Sequence, residues 1–102
     1  MKIPKKIKIR AFVYTVTENQ DVANEGNVFG STHLRRQKIF IEPSETQQKK
    51  EHTFIHEIIH AVWNQIGLNT RVNKDNPKLE EEIIDGLSHG LYQVLKDNNL
   101  LK

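Results

Sequence analysis

The sequence predicts an α+β domain, with a small antiparallel sheet of about three strands packed against two long helices. Three observations predict it. Residues 7–17 alternate and are rich in β-branched and aromatic types. Two more extended runs, Val28 to Leu34 and Lys38 to Glu42, flank Arg35, Arg36 and Gln37. Beyond Pro43 the apolar spacing becomes helical and stays so almost to the end.

In chain order, residues 7–17 read as one strand and the polar residues 18–27 as a loop. The next two runs read as a hairpin, which Pro43 closes because proline cannot donate to a sheet ladder. Ser44 is the expected N-cap of the first helix, with Gln47 completing a capping box. Phe54, Ile55, Ile58, Ile59, Val62, Trp63 and Ile66 form its apolar face, Phe54 and Trp63 being core residues, and Gly67 stops it. Residues 68–76 are a polar connection. Asn76-Pro77 starts a second helix, whose apolar face is Leu79, Ile83, Ile84, Leu87, Leu91, Val94 and Leu95. It frays near Asn98 and Asn99.

The 102 residues are expected to form a single domain, 1–102, with no repeat or linker. Net charge is +2, too small by itself to argue for nucleic acid. Lys2, Lys5, Lys6, Lys8 and Arg10 cluster at the start, and Arg35, Arg36 and Lys38 in mid-chain. These are expected to be solvated edges and turns, and nucleic acid is not an expected partner. There is no cysteine, so any metal site must use His and carboxylate ligands. No signal-peptide h-region or membrane-spanning apolar run is seen, so a soluble cytoplasmic protein is expected.

His56 and His60 are four apart on the first helix and therefore share a face. Two imidazoles at that spacing can reach one zinc ion. Glu57, beside the first, is expected to reach the attacking water rather than the metal, where it could act as general base and acid. A catalytic zinc takes three protein ligands, so a third must come from a facing element. Glu80, Glu81 and Glu82 lie near the start of the second helix, where the helix dipole favours solvated acids. Glu81 is the best of them because Asp85 follows one turn later and could accept from the second ring nitrogen of His56. His89 and Tyr92 lie further along and are candidate transition-state donors, or simply packed helix residues. His33 and His52 are expected bystanders.

His56-Glu57-x-x-His60 followed by Glu81-x-x-x-Asp85 resembles the gluzincin clan of zinc metallopeptidases. The gap of 21 from His60 to Glu81 is similar to the short spacing common there. The stretches Thr53 to Glu57 and Glu81 to Asp97 look most like the small peptidases of phages and mobile elements and the ImmA/IrrE-type domains. The likeness covers roughly residues 26–97. It departs from that pattern at Ile59, where ImmA-type motifs often have Gly, and it lacks the large C-terminal lobe of bigger members. The resemblance implies a minimal zincin-like domain with one Zn2+ per chain held by His56, His60 and Glu81. It implies peptide-bond hydrolysis, with a peptide or protein substrate bound as an added strand near Ile39–Ile41. The alternative is a zinc-containing regulatory or protein-binding module with weak or latent activity.

Overall fold

The computed structural model describes residues 1–19 and 29–101. The loop expected over 18–27 therefore falls mostly outside the described residues. Four strands are seen: β1 Lys6–Ile9, β2 Phe12–Glu18, β3 Gly30–His33 and β4 Lys38–Ile41. Three helices follow: α1 Gln47–Gln65, α2 Leu68–Arg71 and α3 Pro77–Asp97.

The sheet is mixed rather than antiparallel and has the order β1-β2-β4-β3. β1 and β3 pair antiparallel with β2 and β4, while β2 and β4 run parallel at the centre. The run expected as one strand is thus a hairpin that turns at Arg10, whose φ is 54°. Neither Gly nor Asn signals this turn. The expected β3–β4 hairpin is present, and Gln37 supplies its left-handed residue at φ 54°.

One face of the sheet carries Ile9, Tyr14, Val16, Ile39 and Ile41, which pack with Phe54 and Ala61 of α1 as the core. Lys6, Lys8, Thr15, Lys38 and Phe40 alternate onto the other face. The helices are layered. α1 lies on the sheet, and α3 packs chiefly on α1. Much of the apolar face expected on α3 is consequently exposed, including Ile83, Leu87, Leu91 and Val94, while Ile84 is fully buried.

Thr46, not Ser44, caps α1, and its side chain accepts from the Lys49 N–H at 3.2 Å. Ser44 donates its N–H and hydroxyl to Glu42 Oε1 instead. Gly67 ends α1 at φ 81°, as expected. The connection expected over 68–76 contains the short helix α2. Pro77 opens α3, and Asn76, its N-cap, makes no side-chain capping bond. Phe54 and Trp63 are buried, with Trp63 donating its indole N–H to Asn73 Oδ1 at 2.8 Å.

Gly30 brings β3 close against α1. A Cβ there would lie 2.5 Å from Thr53 Cγ2 and 3.3 Å from Glu57 Cγ. Thr53 is buried and β-branched, so it has little freedom to yield.

Among the described residues, no helix is long and apolar enough to cross a membrane.

Candidate metal centre

α1 and α3 line one wall of a cleft of about 890 Å³, and β3 lines the other. The helical repeat sets His56 and His60 one turn apart, facing α3, while Thr53 and Glu57 face β3.

The two imidazole Nε2 atoms stand 3.2 Å apart. The Glu81 carboxylate spans them, Oε1 lying 2.8 Å from His56 and Oε2 2.9 Å from His60. Ligand atoms around a tetrahedral zinc are about 3.3 Å from one another, so the two imidazoles and the carboxylate stand close enough to meet one ion.

The other ring nitrogens decide the chemistry of that triangle. His60 Nδ1 lies 2.7 Å from Glu80 Oε2, a carboxylate that can only accept. His56 Nδ1 lies 3.2 Å from Ser88 Oγ, whose hydroxyl donates to the Asp85 carbonyl at 3.1 Å. With the proton on each Nδ1, directed at these oxygens, both Nε2 atoms would present lone pairs, as metal binding needs. Two lone pairs and a carboxylate converge on one another, a donor set suited to a cation.

Glu57 stands beside this set without joining it. Its Oε2 is 4.0 Å from His56 Nε2, and its Oε1 accepts from Thr32 Oγ1 at 2.7 Å. The donor atoms of His56, Glu57 and His60 all lie within 4.8 Å of one another. Glu57 is only 6% exposed. Burial pushes its carboxyl above the usual range, against the pull of the Thr32 hydrogen bond and the two imidazoles. A carboxylate of raised proton affinity, held by a hydrogen bond from β3, suits proton transfer.

The structure brings together His56, His60, Glu57 and Glu81, all read from sequence. It corrects the others in part. Asp85 Oδ1 lies 3.9 Å from His56 Nδ1, so Ser88 is the nearer partner of that ring. Glu80 is not a freely solvated first-turn acid. Its side chain is 16% exposed, and it accepts from His60, Asn64 and Asn73. Glu81 and Glu82 are both exposed, the Glu81 side chain at 61%.

His89 reaches the cleft wall, where its ring stacks 4.1 Å from that of His52. His52 also lines the cleft. Burial, with His89 and His56 alongside, lowers the proton affinity of its imidazole. Tyr92 also lines the cleft, but its hydroxyl donates to Glu51 Oε1 at 2.8 Å. Burial and that bond push the phenol up. Ile39–Ile41 has strands on both sides, so the sheet edge beside the cleft is β3, Gly30–His33.

Helix geometry could have revealed the two missed partners. α1 and α3 run antiparallel, so a partner for His60 must come earlier along α3 than one for His56. Glu80 and Ser88 satisfy that order.

No known protein family, curated protein or solved structure matches this chain.

Proposed function

We propose that this chain is a zinc-dependent metallopeptidase of the gluzincin type, built as a minimal zincin-like domain. The observation that carries the reading is the convergence of His56 Nε2, His60 Nε2 and the Glu81 carboxylate within 2.8–3.2 Å, with each Nδ1 directed at an oxygen on α3. These three residues would hold the ion. When bound, zinc supplies Lewis acidity that polarises a carbonyl and acidifies water.

The chain's own residues supply the rest. Glu57 takes a proton from the attacking water and passes it to the leaving amine. Thr32 orients Glu57 through its Oγ1. Glu80 and Ser88 hold the imidazoles in the tautomer and direction that binding needs. β3 is a sheet edge along the cleft, so an extended peptide could align on it by main-chain hydrogen bonds.

A second reading is a zinc-holding binding module. Its support is Tyr92, whose hydroxyl is committed to Glu51 and so is not aimed at a reacting carbonyl.

Metal analysis of chelator-free protein tests the site. One zinc per chain is expected in the wild type and in Glu82→Ala, and loss of it in Glu81→Ala. A wild type that takes up no added zinc would refute both readings. A zinc-loaded wild type that cleaves no peptide in a broad library would leave only the second.

A further inference from the structure

The charges on this molecule are sorted by layer. Eight of the 15 Lys and Arg residues fall in residues 1–41, but only three of the 13 acids. In sequence they look like scattered edges and turns. The sheet gathers them. Lys6, Thr15, Lys38 and His33 are paired in turn across all four strands and form one row on the face away from α1. At strand spacings of about 4.8 Å, that row is roughly 14 Å long. Lys8 stands beside it on β1, and Arg35 and Arg36 rise from the β3–β4 turn at one end.

In the helical half three cations are paired, while Arg71, Lys74 and Lys78 have no carboxylate partner among the described residues. Lys49, Lys50 and Lys96 each lie against a carboxylate, Glu45, Glu18 and Glu51 respectively. Among the described residues, no carboxylate pairs with Lys6, Lys8, Lys38, Arg35 or Arg36, and all five are exposed. Phe40 lies on this same face, two residues along β4 from Lys38, with the His33 ring edge-on to it at 5.0 Å. A half-buried aromatic ring beside exposed cations that no described carboxylate pairs is the chemistry that holds bases and phosphates of an unpaired strand.

We infer that the outer face of the sheet binds single-stranded nucleic acid. The row ends at His33 on β3, the strand that also lines the metal cleft.

The test is fluorescence anisotropy of the full chain with a labelled oligothymidine of about 20 nucleotides, a length that covers at least one such site. With about four phosphates contacted, raising salt from about 50 to about 200 mM weakens binding roughly 50-fold. The double variant K6Q/K38Q removes two contacts, so binding is weaker and the same salt change costs only roughly sevenfold. Both lysines are exposed, and a thermal midpoint equal to that of the wild type shows the variant folded. Glu57→Gln binds as wild type does. No binding at low salt, or the same salt dependence in the double variant, would overturn the inference. So would tighter binding to a duplex of the same length or to vesicles of anionic lipid.

Discussion

α1 and α3 lie side by side, yet different forces hold them. α1 buries Phe54, Ile55, Ala61 and Trp63, and most of its position is set by apolar contact with the sheet. α3 buries only Ile84 and Ser88. Its ties to α1 include polar ones, from Ser88 to His56, from Glu80 to His60 and from Tyr92 to Glu51, and the stack of His89 on His52. Apolar burial places the first helix whether or not the site is filled. The second is placed largely by the groups of the site itself. An ion bound at His56, His60 and Glu81 would therefore bridge a well-anchored helix to a weakly anchored one.

The largest expected effect separates chemistry from anchoring. Glu57→Gln should lower peptide hydrolysis by roughly 10²–10⁴-fold, the usual worth of a general base, while zinc stoichiometry stays unchanged. Residual activity near wild type would remove Glu57 from the mechanism.

Next in size is the effect of the ion on α3. Zinc at about 100 times its Kd should stabilise the fold by about 2.7 kcal/mol. Hydrogen exchange should show the added protection mainly over Pro77–Asp97, and Glu81→Ala should abolish it. Equal protection of α1 and α3 without metal would break the comparison.

The outward ties should be worth less. Glu80→Gln should weaken zinc affinity by roughly 10–100-fold in a competition titration, the usual range for a group that orients a metal-binding histidine. Unchanged affinity would return Glu80 to the role of a surface acid.

The smallest effect concerns stability without metal. The folded-state proton affinity of Glu57 is raised by burial, so its ionisation opposes folding. Its favourable contribution is complete below the unfolded carboxylate range and is lost as pH rises through the folded value. Metal-free Glu57→Gln should therefore melt above wild type at neutral pH. The gap should close on acidification. A gap that widened at low pH would give the shift the opposite sign.

The same contrast explains what the sequence makes legible. His56, Glu57 and His60 lie on one helix, where spacing alone sets geometry. Glu81 follows from its offset to Asp85, although Ser88 takes the contact expected of Asp85. Glu80 and Ser88 depend on how two antiparallel helices cross, which no local pattern encodes. The β1–β2 turn is hidden because apolar residues continue through it. Ile7 and Ile9 point inward at odd positions, and Tyr14 and Val16 at even ones. That change of parity is its one trace. The parallel pairing of β2 with β4 joins segments separated by the whole 19–37 stretch, and short-range alternation says nothing about such partners.

Gly30 links two properties of the cleft that could otherwise vary apart. The strand it belongs to is one bank of the channel, and the next-but-one residue, Thr32, steadies the base. Any side chain at residue 30 would push that bank outward and draw the threonine hydroxyl off Glu57. Channel width and the proton affinity of Glu57 are thus geared together through a single hydrogen atom, and neither can drift without the other registering it.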